Sequence, residues 1–99
     1  MMSDKAEKKA TILLVDDNQL QLDALALRLE QHYEEEALDI KVEIESDERN
    51  VLATLRKKTI DVVVSDLDMP FIRGDELNQM VQKFDDKIQF IIHSGVGGQ

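Results

Sequence analysis

The sequence predicts an α/β fold on a parallel sheet, with elements in the order βαβαβαβ, and three observations predict it. Short apolar runs alternate with longer stretches in which apolar residues recur at helical spacing. The runs at residues 11–15 (TILLV) and 62–64 (VVV) are continuous and, but for the Thr11 hydroxyl, apolar, as strands buried on both faces are. Aspartates and other polar residues interrupt the pattern where these runs stop. Strands alternating with helices imply a parallel sheet with right-handed crossovers, and the strand order expected here is 2-1-3-4.

The first strand is expected over residues 11–15. Leu22, Leu25, Ala26, Leu29 and Tyr33 then recur at helical spacing, so a helix begins near Asn18 and frays into Glu34, Glu35 and Glu36. Ile40–Glu45 (IKVEIE) alternates strictly and reads as a half-buried strand at a sheet edge. Ser46 or Asp47 can cap a second helix carrying Val51, Leu52 and Leu55. Asp61 precedes the third strand, and Pro70 and Gly74 punctuate the loop that follows it. Leu77, Met80, Val81 and Phe84 are spaced as one face of a third helix. The fourth strand is expected over residues 88–92 (IQFII). Residues 1–10 read as a flexible lead, and the glycine-rich residues 93–99 as a mobile tail.

Ninety-nine residues allow one domain. With 42% hydrophobic and 33% charged residues, the composition is that of a globular chain. The net charge of -9 argues against nucleic acid, whose phosphates require Lys and Arg. It suits a metal-binding acidic pocket or a basic protein partner. The absence of cysteine excludes disulfides and thiolate zinc sites. No apolar run approaches a membrane span, and the first ten residues lack the apolar core of a signal peptide, so a cytoplasmic location is expected.

In open parallel sheets the functional residues lie at the C-terminal strand ends. Asp16 and Asp17 follow strand one, Asp66 ends strand three, and Ser94 follows strand four. Three carboxylates on one rim repel one another unless protons or a cation neutralise them. Mg²⁺ is the natural hard cation for oxygen ligands of this kind. A carboxylate beside such a cation can attack phosphorus and form an acyl phosphate, and the Ser94 hydroxyl could donate to a phosphoryl oxygen. Each part alone has an ordinary reading. Asp17 could cap the first helix, Ser94 could be a turn residue, and Asp66 could cap a loop. His93 reads as a neighbour of Ser94, His32 as a cation near a helix C-terminus, and Met69 as packing.

The motifs LLVDDN at residues 13–18, VVVSDLDMP at 62–70 with Gly74, and FIIHSG at 90–95 resemble the receiver domain of two-component response regulators. The resemblance covers residues 11–95 and implies a flavodoxin-like three-layer sandwich. It further implies that Asp66 is the phosphoacceptor and that Ser94 holds the switch hydroxyl position. Asp17 would ligate Mg²⁺ directly, Asp16 largely through water, and the backbone carbonyl of Asp68 would add a ligand. The implied partner is a sensor histidine kinase or phosphotransfer protein, and the implied role is signalling rather than enzymatic turnover. Residues 11–99 would then be a receiver domain incomplete at its C-terminus. The family continues with a helix, a fifth strand ending in an essential lysine, and a last helix. No residue here matches that lysine, since Lys87 precedes strand four at the other end of the sheet.

Two rival readings accompany this one. VVVSDLDMP also resembles the first motif of haloacid-dehalogenase-type phosphatases, with Asp66 as nucleophile and Asp68 as general acid. In those enzymes, however, the lysine and acidic metal ligands follow the motif, and here the acidic pair precedes it. The other rival is a docking or dimerisation module that no longer takes phosphate. Self-association is expected in either case, through an apolar fourth strand at the sheet edge or through the sheet face that the first helix cannot cover alone.

Overall fold

The computed structural model describes residues 9–93. Its elements are β1 (Ala10–Val15), α1 (Gln19–Glu35), β2 (Ile40–Glu45), a 3-10 turn (Glu48–Asn50) running into α2 (Val51–Lys57), β3 (Val62–Ser65), α3 (Gly74–Phe84) and β4 (Gln89–Ile92). The four strands form one parallel sheet in the order β2-β1-β3-β4, the topology expected of this α/β chain. β1 starts at Ala10, one residue earlier than its apolar run suggests. Residues 1–8 of the expected lead, and the tail from Ser94 onward, lie outside the described residues.

The register sets up the rim. Val15 pairs with Glu45 of β2 and Ser65 of β3, and Ser65 pairs with Ile92 of β4. In parallel strands this in-step pairing brings the C-terminal ends of β1, β3 and β4 together. α2 and α3 cover one face, where Leu13, Val15 and Val63 pack with Val51, Leu55, Leu77 and Val81. Alternation along the strands turns Leu14 and Val64 to the opposite face, which carries α1. Leu22 is the one α1 side chain buried outright; Leu25, Ala26, Leu29 and Tyr33 are half-buried.

Two of the periodic residues are exposed. Phe84 ends α3, is not part of the core cluster and is exposed. Ile44 is exposed because β2 is an outer strand. β4 begins at Gln89, and Ile88 just before it is buried. Among the described residues β4 is the other outer strand. Ile91, in the row of Leu14 and Val64, remains 50% exposed on the α1 side, beyond the reach of that helix.

Candidate functional site

Asp16 follows β1 directly, and its backbone N–H donates to the Glu45 carbonyl at 3.3 Å. Its Oδ1 accepts the Asn18 N–H at 2.9 Å, and Asn18 caps α1 by accepting the Gln21 N–H at 3.1 Å. Thus Asn18, not Asp17, is the helix cap, and the exposed Asp17 carboxylate is left facing the rim. Asp66 sits one residue past β3, where its N–H donates to the Val15 carbonyl at 3.0 Å. The β1–β3 ladder therefore continues to the acidic residues and holds both segments side by side.

Carboxylate oxygens of Asp16, Asp17 and Asp66 all lie within 4.8 Å of one another. Partial burial raises the pKa of Asp16 above the ordinary carboxylate value, and the charges of Asp66 and Asp17 add to that; the Asn18 N–H opposes it. Asp66 is raised for the same reasons, burial first and then the charges of Asp17 and Asp68, against the Leu67 N–H and His93. The donor set fits Mg²⁺: three hard oxygen ligands whose mutual repulsion a divalent cation relieves.

The backbone of Asp66 is held from two sides. The buried Ser65 hydroxyl donates to the Asp66 carbonyl at 2.8 Å. Gly74, at the start of α3, donates its N–H to the Leu67 carbonyl at 2.8 Å and packs directly against the Asp66 carbonyl. Between them, Met69 is buried in the core, which agrees with its reading as packing.

Asp68 stands apart from the three clustered carboxylates. Its side chain turns to Arg73, with Oδ1 and Nη1 3.1 Å apart. Ser94, expected as the switch hydroxyl, lies outside the described residues; the described chain reaches His93, whose N–H donates to the Ser65 carbonyl at 2.8 Å. Glu48 is a residue that the sequence reading passed over. It is 2% exposed, and its Oε2 accepts the N–H groups of Phe71 at 2.6 Å and Ile72 at 3.1 Å. Beside it the Arg49 guanidinium lies 3.7 Å from the Phe71 ring centroid. A glutamate at a helix start reads as a solvated, dipole-favoured residue, and nothing in its spacing indicates a partner so far along the chain.

The acidic cluster stands at the C-terminal rim of a parallel sheet of order 2-1-3-4. The chain belongs to the response regulator receiver domain family, whose model matches residues 12–98. It is 27% identical to a response regulator receiver domain protein from Clostridium thermocellum, with a TM-score of 0.75, covering 89% of this chain and 67% of that one. It is 25% identical to the chemotaxis protein CheY4 of Vibrio cholerae, with a TM-score of 0.73, covering 86% and 68%. The response regulator protein TrrA of Thermotoga maritima, in complex with Mg(2+)-BeF, is 20% identical with a TM-score of 0.76, covering 89% and 71%, a likeness of fold. The chain thus spans about two thirds of the length of these proteins. No curated protein matches it. Receiver domains are signalling modules, so the match favours this reading over the phosphatase one. Among the described residues no helix is long and apolar enough to cross a membrane.

The shifted carboxylates make stability depend on pH in a stated direction. Asp16 and Asp66 bind protons more tightly folded than unfolded. Their contribution is therefore full below the ordinary value of 3.8 and lost as pH rises through the raised folded values. Glu43 and Asp47 are lowered, by Lys58 with Lys41 and by Arg49, and lose their contribution only as pH falls below their ordinary values of 4.5 and 3.8. In metal-free buffer the melting temperature should rise as pH falls from about 7 towards about 4.5, and millimolar Mg²⁺ should flatten that rise. The Asp16→Asn variant should show a smaller rise than the parent. A slope unchanged by both Mg²⁺ and Asp16→Asn would place the pH dependence elsewhere on this acidic chain.

Proposed function

We propose that the chain is a phosphoacceptor: Asp66 takes a phosphoryl group from a sensor histidine kinase or a phosphotransfer protein in two-component signalling. The observation that carries this reading is the convergence of the Asp16, Asp17 and Asp66 carboxylates at the strand ends of a receiver domain. A carboxylate oxygen of Asp66 attacks the phosphorus of a phosphohistidine. The O–P bond forms as the P–N bond breaks, and the electron pair leaves with the imidazole, which takes up a proton. Mg²⁺, held by Asp17 and Asp66 directly, Asp16 through water and the Asp68 carbonyl, would offset the negative charge gathered by carboxylate and phosphoryl group. Ser94 would donate its hydroxyl to a phosphoryl oxygen.

The test is intact mass after incubation with acetyl phosphate and Mg²⁺. One added phosphate is expected, dependent on the cation and absent from Asp66→Asn. An adduct that survives Asp66→Asn would sink the assignment, and no adduct at all would favour a docking module of the same fold.

The chain is also proposed to self-associate, by pairing along β4 or by burying the α1 side of the sheet. The exposed Ile91 and Ile92 on an outer strand support this. So does an open cavity of about 280 Å³ beside α1, floored by Leu14, Leu22, Leu25 and Val64. Long apolar edges invite pairing. Sedimentation velocity should show a dimer that Ile92→Lys weakens; a folded monomer at high concentration contradicts the proposal.

A further inference from the structure

We infer that Glu48 is a positioning residue for the phosphoacceptor site: its buried carboxylate, docked on the N–H groups of Phe71 and Ile72, holds the loop after Asp66 in the shape that cation binding needs. The inference rests on the reading of that rim as a Mg²⁺ site and extends it to a residue outside the rim.

Glu48 opens the short 3-10 turn ahead of α2, where Asp47 precedes it and accepts the Arg49 N–H at 2.9 Å. A carboxylate in that place would ordinarily face water. Here it is buried, and among the described residues no Lys or Arg forms a salt bridge with it. Burying a charge without compensation is costly. The compensation comes from two backbone donors at 2.6 and 3.1 Å, the geometry of charge-assisted hydrogen bonds.

Those donors belong to the segment between Asp66 and α3, which is held at several points, among them the Arg73 N–H on the Glu76 carboxylate at 3.0 Å and the Arg73 guanidinium on Asp68. Its neck is closed by the Gly74 N–H on the Leu67 carbonyl. Its middle is fixed by the buried Met69, whose sulfur lies 3.9 Å from the Ser65 hydroxyl. Its far side is fixed by Glu48, with the Arg49 guanidinium laid on the Phe71 ring. Asp68 lies within this segment, two residues past Asp66, and its backbone carbonyl is the proposed fourth ligand. Without Glu48 the Phe71 and Ile72 N–H groups lose their acceptor, and the loop must move to find water. Groups that orient ligands in this way typically change metal affinity by about 10- to 100-fold when removed.

The experiment is a titration of the full chain with Mg²⁺ alone, followed by backbone amide chemical shifts, together with amide exchange at Phe71 and Ile72. Glu48→Ala should raise the half-saturating Mg²⁺ concentration about tenfold and speed exchange at both amides. Glu48→Gln keeps an oxygen acceptor at the same reach and should stay within about threefold of the parent. Leu55→Ala, a core truncation on α2 chosen to lower the melting temperature comparably, should leave Mg²⁺ binding unchanged. If Leu55→Ala weakens Mg²⁺ as much as Glu48→Ala does, the role is only structural and the inference fails. Should Glu48→Ala not fold, Glu48→Asp decides. Its carboxylate is one methylene short, so Mg²⁺ affinity equal to the parent's overturns the inference, and weakened affinity beside an unaffected Glu48→Gln supports it. A parent chain with no Mg²⁺ response also overturns it. A parent that binds Mg²⁺ but takes no phosphate from acetyl phosphate sinks the phosphoacceptor reading while leaving this one standing.

Discussion

Asp66→Asn is expected to abolish phosphate uptake and, in the same protein, to raise the melting temperature when no divalent cation is present. The first effect is complete because an amide is not a nucleophile towards phosphorus under these conditions. The second follows from electrostatics. At neutral pH the Asp66 carboxylate is held partly buried beside Asp17, with Asp68 also adding negative charge, and its raised pKa records that the charged form is disfavoured in the fold. Asparagine keeps the shape and removes the charge. Because the group is only partly buried, screening by solvent keeps the gain small, about 0.5 kcal/mol, or about 2–4 °C for a domain of this size. Mg²⁺ should reverse the order. The parent gains a ligand that binds only the folded state, whereas the variant has lost one carboxylate of the site. Paired thermal melts with and without millimolar Mg²⁺ check this, and a variant less stable than its parent in metal-free buffer would show that Asp66 supports the fold rather than straining it.

The strands were legible because each depends on local pattern, and their order because alternation with helices and right-handed crossovers restrict it. Residues 11–15 and 62–64 are short and rich in branched apolar side chains, which favours buried strands over helix. Asp16, Asp17 and Asp66 were legible for a related reason: charge directly after a buried strand stands out, and parallel topology dictates that such ends meet. The structure brings these three together, as expected. What escaped depends on tertiary partners. Glu48 looks like any glutamate at a helix start until its distant acceptor role is seen. Ser65 lies inside the VVVSD motif, yet its hydroxyl's hold on the Asp66 carbonyl depends on local backbone geometry that periodicity does not encode. Phe84 fits the helical stripe of Leu77 and Val81 but falls at the last residue of α3, and pattern alone does not reveal where a helix outruns its core.

Gly74 is where helix propensity and packing give opposite answers, and Gly74→Ala is expected to follow packing. Gly74 is the first residue of α3. Alanine is the better helix former, and within a helix the exchange ordinarily stabilises by about 0.5–1 kcal/mol. Nor is conformational freedom at issue, since no glycine among the described residues has a positive φ. The constraint is space. A Cβ at this position would overlap the Asp66 carbonyl oxygen and stand 3.0 Å from the Leu67 Cα. Both are backbone atoms, so no flexible side chain can swing aside. The Asp66 carbonyl already accepts the Ser65 hydroxyl, and the Asp66 N–H is tied to Val15, which leaves the acceptor segment little room to retreat. Either α3 moves away, breaking the Gly74 to Leu67 hydrogen bond, or Asp66 shifts out of line with Asp16 and Asp17. Overpacking of this kind costs about 1–3 kcal/mol, more than the propensity gain. The expected net loss is about 1–2 kcal/mol, seen as a fall in melting temperature of roughly 5–10 °C. Because the displaced atoms belong to the acceptor itself, the half-saturating Mg²⁺ concentration and the rate of phosphate uptake should worsen together with stability. A variant as stable as its parent, with unchanged Mg²⁺ response, would mean that the loop yields easily and that Gly74 is not what fixes the acceptor.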